Sequence, residues 1–306
     1  ATRDRLLDLV KKFQRADLIR TTPYEEYNNL SLVTVMNRDR KAFNNYVPSR
    51  SLSPDEAWKA NTIRPVTRNK VISIAAHLTS SLLYPQVYAQ NDSDEEDREA
   101  GLVMRDLNLW SAEQSKYAFE FLKGVVKALI DPAMIMYEGF ADVKRKIKEM
   151  KADGSYTLKE IQDEAFSGFL NLLVPVEELY ISNVYESDIQ KQPFLFWRRV
   201  IDYGEAKVKY GGLSDFKTYV KPGLKIFYSD DRSGFYELYD QNLEGELVEE
   251  VIYYDRYEDL ELRLVNGVLM DSPDRPMQRK DKRFPFAKTG YEVMGGTDFF
   301  YYKSLV

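Results

Sequence analysis

Cysteine is absent from the 306 residues, and histidine occurs once, at His77. The first absence excludes disulfides, thiolate nucleophiles and cysteine-based zinc or iron–sulfur sites. It also fits a reducing compartment. The second leaves any Ser-His-Asp or Cys-His arrangement with His77 alone to draw on. Long apolar runs are missing too, since none approaches the roughly 18 residues of a membrane-crossing helix. Nor is positive charge in excess. Lysine and arginine number 43 against 49 aspartates and glutamates, a net charge of −6. Proteins that grip nucleic acid through counterion release are usually basic. A tight sequence reader is therefore disfavoured, while a sliding contact with DNA stays compatible with this balance.

What is present is apolar and aromatic. Hydrophobic residues make up 44% of the chain, enough for a real core, and charged residues make up 30%, enough to solvate its surface. The length suffices for two ordinary domains or one large elongated one. Tyrosine (22) and phenylalanine (16) are plentiful. Tyrosine pairs a large apolar body with a polar tip, which suits interfaces that stay partly wet, though it also packs at core edges. The stretch Phe299-Phe300-Tyr301-Tyr302-Lys303-Ser304-Leu305-Val306 is apolar and aromatic to its last residue, whereas termini are usually polar. The expectation is a piece of a longer chain, with burial against a partner as the alternative.

Residues 1–130 read as mainly helical. Leu6, Leu9, Val10 and Phe13 share one face at helical spacing. Thr22-Pro23-Tyr24-Glu25 has the cap, first-turn proline and glutamate of a helix start, continued by Tyr27, Leu30, Val33 and Thr34. Ser53-Pro54-Asp55-Glu56 repeats that signal after a loop from Asn44. A third helix is expected from Pro65 or Val66 to Leu83, with Ile72, Ala75, Ala76, Thr79, Leu82 and Leu83 as its stripe and Pro85 as its stop. Gln86 to Gln90 reads as a short strand. Asp92, Asp94, Glu95, Glu96, Asp97 and Glu99 crowd the next helix start, where the helix dipole favours negative charge. Ser111 with Gln114 opens another helix, reaching Ile130.

From Asp131 the pattern turns to strands. Met134 to Phe140, Phe169 to Val174, Leu179 to Ser182 and Pro193 to Ile201 are the first set, the last with Phe194, Phe196 and Arg198 opposing Leu195, Trp197 and Val200. Val143 to Lys151 reads as a basic arm, helical or extended, and Leu158 to Phe166 as a short helix. Asp202 to Tyr210 is a helix stopped by Gly211-Gly212. Lys225 to Tyr228, Phe235 to Tyr239, Leu247 to Tyr257, Leu260 to Val265 and Val268 to Met270 follow as strands. Turn signals at 230–234, 242–245 and Asn266-Gly267 divide them, which implies an antiparallel meander. The fold class is α+β, helical first and antiparallel β-rich last.

Candidate chemistry is sparse. His77 lies inside an apolar helix and reads as a packed or capped core residue. Counted as a calcium loop from Asp92, the sixth and twelfth positions hold Asp97 and Val103 rather than glycine and glutamate, so the loop fails. Glu177-Glu178 and Glu249-Glu250 are adjacent pairs, and in a strand neighbours point to opposite faces. Gly295-Gly296 lacks the lysine and serine of a phosphate loop and reads as a turn. The densest basic cluster is Arg275, Arg279, Lys280, Lys282 and Arg283, in a Pro-bounded loop. It is either a solvated loop or a contact for phosphate or an acidic partner. Lys144, Arg145, Lys146, Lys148 and Lys151 make a second basic stretch, read as one helix face. No cofactor or metal is expected.

Several segments, in order, resemble the bacteriophage portal proteins, especially those of short-tailed phages. They are Arg64-Pro65-Val66-Thr67-Arg68-Asn69-Lys70-Val71-Ile72 with Tyr84-Pro85 to Asn91 and the acidic helix start; Ile181-Ser182-Asn183, Glu186-Ser187-Asp188-Ile189 and Gln192-Pro193-Phe194-Leu195; Val251-Ile252-Tyr253-Tyr254-Asp255-Arg256-Tyr257 leading to Val265-Asn266-Gly267-Val268-Leu269; and Phe284-Pro285-Phe286 with Phe299 to Val306. Tyr302 departs from the pattern, standing where such proteins often have glycine. The resemblance implies a non-enzymatic ring, usually of twelve subunits, at one capsid vertex of the virion, assembled in the host cytoplasm. Double-stranded DNA enters through it, driven by the terminase large subunit, and leaves through it. Head–tail adaptor or tail proteins and the major capsid or scaffolding protein are the other implied partners. By analogy residues 1–222 are wing-like (helical 1–130, α+β 131–222), and 223–306 are wing or the approach to stem and clip. The later portal regions would lie outside this sequence. The alternatives are another virion structural protein, such as a connector or capsid-associated protein, and a nucleic-acid-processing enzyme.

Overall fold

The computed structural model describes residues 2–44, 65–80, 86–91, 93–141, 144–150, 156–162, 167–224, 246–294 and 298–306. Helix α1 (Thr2–Thr21) is followed by a small hairpin, β1 (Pro23–Tyr24) and β2 (Leu30–Ser31), and by α2 (Leu32–Phe43). Helices α3 (Val66–Thr79), α4 (Glu95–Gln114) and α5 (Tyr117–Ile130) come next. Strands β3 (Met134–Ala141), β4 (Lys144–Met150), β5 (Tyr156–Gln162), β6 (Gly168–Val174), β7 (Leu179–Ile181) and β8 (Phe194–Asp202) precede α6 (Tyr203–Tyr210) and α7 (Ser214–Tyr219). The chain closes with β9 (Leu247–Asp255), β10 (Leu260–Val265), β11 (Val268–Leu269) and β12 (Phe286–Thr289). This is an α+β protein.

A five-stranded antiparallel sheet runs in the order β11-β10-β9-β8-β7 and a three-stranded one in the order β12-β3-β6. Strand alternation decides what each face of the larger sheet meets. Along β8, Phe194 and Phe196 join a cluster with Leu9, Phe13 and Ala16 of α1. The next residues, Leu195 and Trp197, join a second cluster with Ile135, Phe284 and Phe286 around the smaller sheet. Phe13 is fully buried, its ring 4.6 Å from Tyr180 and 5.2 Å from Phe196. A side chain of that size contributes about 1.5–3 kcal/mol on burial. Alternation puts Arg199 with the odd positions, stacked 4.7 Å over Trp197, so Val200 falls on the even side rather than in the opposing set.

The sheet takes β7 and β8 from before residue 222 and β9 to β11 from after it, so the chain on both sides of that point shares one sheet. Phe299, Phe300 and Tyr301 belong to the same cluster as Trp197. Their apolar character therefore serves the chain's own core.

Several expectations are corrected. The start signal at Thr22-Pro23 forms β1 and a 3₁₀ turn (Glu25–Tyr27), and α2 begins only at Leu32. Asn28 and Asn29 both adopt left-handed conformations (φ 55° and 60°), which ends the turn and reverses the chain. Ser31 then caps α2 by accepting the Thr34 N–H at 3.3 Å. Gln86 to Gln90 is not a strand. The helix expected from Ser111 is the end of α4, and left-handed Lys116 (φ 53°) separates it from α5. Residues 156–162 are strand β5 rather than helix, because they pair with β4 from Met150↔Tyr156 to Lys144↔Gln162. The basic stretch is consequently a strand and not a helix face. In α3, Val71 and Ala75 are the buried residues, while Ile72 and Ala76 are exposed. Helix α7 and strand β12 had no counterpart in the sequence reading. The signals at 53–56, 82–85, 163–166, 225–245 and 295–296 lie outside the described residues.

Candidate functional site

Pro276 bridges back to Leu260 of β10, and the Arg275 carbonyl accepts the Glu261 N–H at 3.1 Å. The basic loop is therefore tied to the edge of the meander rather than hanging free. Three of its five cations are engaged by carboxylates. Arg275 reaches Asp271 at 2.9 Å, Arg279 takes Asp281 in a bidentate pair at 3.1 and 3.0 Å, and Lys282 meets Asp259 at 2.9 Å. The pairing with Arg279, helped by the Arg283 N–H, holds the exposed Asp281 carboxyl down at about 2. Lys280 and Arg283 make no ion pair among the described residues and are exposed. The net positive surface of the loop is thus carried by two residues.

Behind the loop lies an open cleft of about 410 Å³ between the end of β3 and the meander. Arg279 and Arg283 line it with Glu138 and Glu261, over a floor that includes Tyr137 and Tyr254. Burial raises the Glu261 carboxyl above its usual range, although the Gln278 N–H and Arg263 pull the other way. Charge of both signs makes this a place for a zwitterionic or peptide-like surface and not a cradle for a polyanion alone.

Several buried carboxylates are committed to structure. Glu249 and Glu250 do point to opposite faces of β9. Arg198 Nε donates to Glu249 at 2.6 Å with both side chains fully buried, and Arg198 Nη1 donates to the Tyr180 hydroxyl at 3.0 Å. On the other face Glu250 accepts from Arg199 and, at 2.6 Å, from the Tyr210 hydroxyl. Burial pushes the Glu250 carboxyl up, but Arg199, Lys209 and Tyr210 outweigh it and leave it below the ordinary value. Arg40 of α2 holds Asp131 (2.7 and 2.9 Å) and Glu177 (3.1 and 2.7 Å) together. Glu178 faces Trp197, whose Nε1 donates at 3.1 Å, and burial lifts this carboxyl to about 7. Sequence spacing does not announce these hubs. The Arg198 and Arg199 hubs had one signal, the Arg-Arg pair inside the apolar run of β8, matched by Glu-Glu inside β9.

His77 is exposed on α3 rather than packed in a core. Asp94 caps α4, accepting the Glu96 N–H at 3.0 Å, so the acidic run does serve a helix start. Asp92 lies outside the described residues. Among the described residues no three histidine or carboxylate side chains converge as a metal site, and no helix is long and apolar enough to cross a membrane. No protein-family model matches the chain, and a search of curated proteins found no match either.

Proposed function

We propose that the chain is a structural subunit of a phage portal ring at the capsid vertex, lining the route by which double-stranded DNA is packaged and ejected. The terminase large subunit, a head–tail adaptor or tail protein, and the capsid or scaffolding protein are its partners. The sequence resemblance suggests the class. The observation that carries it is how polar and apolar groups are distributed. Buried charges of the main sheet are spent in pairs that fix strands, while large apolar side chains stand exposed on α4, α5 and the β4–β5 ribbon. Such surplus apolar surface marks assembly. An acidic body with dispersed basic loops favours DNA that slides over holding it.

Electron microscopy of the purified protein tests the reading. Closed rings with an axial hole wide enough for duplex DNA support it. A monomer lacking rings at every concentration tried, or robust ATPase or nuclease turnover abolished by one carboxylate substitution, overturns it.

A further inference from the structure

Helix α4 is built inside out. A surface helix normally turns its apolar stripe inward, yet none of the 20 residues of α4 is buried. The half-buried positions that face the body include Asp97, Gly101, Asn108 and Ser111. Gly101 sits so close to the Ala89 backbone that a Cβ would lie 3.2 Å from its nitrogen. Val103 and Leu107, at i and i+4, are 68% and 43% exposed, while Trp110 turns its ring edge-on to Phe169 of β6 at 6.4 Å.

A second unpartnered surface lies on the ribbon of β4 and β5. These strands pair with each other, and no other described element packs against either beyond a fringe contact. A two-stranded hairpin alone is marginally stable in water. Its register puts Met150 opposite Tyr156 and Lys148 opposite Leu158, so Met150, Tyr156 and Leu158 share one face. They are 66%, 66% and 64% exposed. The strand length, about 23 Å for seven residues, fits along a helix of about 30 Å for 20 residues. The charges are complementary as well. Strand β4 reads Lys-Arg-Lys-Ile-Lys-Glu-Met, whereas α4 has six carboxylates and two arginines.

We infer that the β4–β5 ribbon of one copy lies across the outer face of α4 on a second copy of this chain. Because the two patches differ, the contact can run head-to-tail and repeat from copy to copy. The inference supplies the subunit contact for the ring reading, but it stands on surfaces that do not depend on that reading.

The test uses two full-length variants, Met150→Asp/Leu158→Asp on the ribbon and Val103→Glu/Leu107→Glu on α4, examined by sedimentation with circular dichroism as a check of folding. Each variant should associate at least about tenfold more weakly than the unaltered chain, as loss of central apolar anchors does. Mixed, the two should form a one-to-one dimer and nothing larger, because one intact ribbon then meets one intact α4. Unchanged association of either variant, or a mixture that stays monomeric, overturns the inference. Should a variant not fold, Met150→Cys/Val103→Cys in this cysteine-free chain gives a second route. Mild oxidation should yield intermolecular cross-links, and their absence is equally fatal. Rings that survive both sets of substitutions would reject this contact and leave the portal reading standing. A filament or dimer broken by them, without rings, would do the reverse.

Discussion

The Arg198–Glu249 pair offers the sharpest energetic test of the fold. Both side chains are fully buried, the guanidinium also serves the Tyr180 hydroxyl, and it lies 5.4 Å over the Phe13 ring. The pair thus links β8, β9, β7 and α1. Removing one partner leaves the other as a buried charge without its counter-ion, which typically costs about 3–5 kcal/mol. Total stability for a protein is typically about 5–15 kcal/mol, so Glu249→Gln or Arg198→Met alone should consume a large part of it. Replacing both, as Arg198→Met/Glu249→Leu, removes the charges together and should cost far less than the two single changes added. Urea denaturation followed by circular dichroism measures all four corners of the cycle. Single-variant losses under about 1 kcal/mol, the range of exposed ion pairs, would refute the reasoning. So would a double variant whose loss equals the sum of the singles, since contacting residues should show coupling.

Glu178 should titrate near pH 7, read by Trp197 fluorescence and abolished in Glu178→Gln. Its carboxyl is raised in the folded state, so the native protein holds the extra proton between the ordinary value and about 7. The stability contribution of this group therefore declines as pH rises through that window. Lys288 is the converse case. Burial lowers its ammonium to about 8, so stability should rise between about pH 8 and the ordinary lysine value, and Lys288→Met should flatten that rise in pH-dependent thermal melts. Gly290→Ala should destabilise by about 1–3 kcal/mol through overpacking, because a Cβ there would run into the Tyr302 ring; an unchanged melting temperature would refute the close approach. Within the basic loop, Lys280→Ser/Arg283→Ser should leave the melting temperature unchanged while weakening DNA or partner contact in a packaging assay. Arg275→Ser should lower that temperature through loss of Asp271.

Much of the β architecture was legible because β8 and β9 are apolar, aromatic runs, β10 alternates apolar and polar residues, and an Asn-Gly turn follows it. The helix α6 was legible for a local reason too, with Asp202 accepting the Gly204 N–H at 2.6 Å as its cap. The failures have physical causes. At Thr22-Pro23 two left-handed asparagines overrode a sound local capping signal. At 156–162 pairing with β4 overrode a helix-like spacing. The apolar stripe expected on α3 places Ile72 in solvent because the neighbouring helices meet Val71 and Ala75 instead. In the basic loop Asp271 and Asp281 are local partners visible in the sequence, but the third is not. Asp259 is distant in sequence, and only folding brings it to Lys282. The Arg40 hub was invisible for the same reason, since Arg40 lies 91 and 137 residues from its two carboxylates.

The docking of α1 has a consequence for how the protein is made. Lys12 donates to the Tyr253 hydroxyl across 241 positions of sequence, and the cluster around Phe13 needs Leu262 and Leu264. Helix α1 therefore leaves the ribosome well before the strands that cover it. At about 5–20 residues per second, its Leu9–Phe13 stripe stays uncovered for roughly 10–50 s during each round of translation.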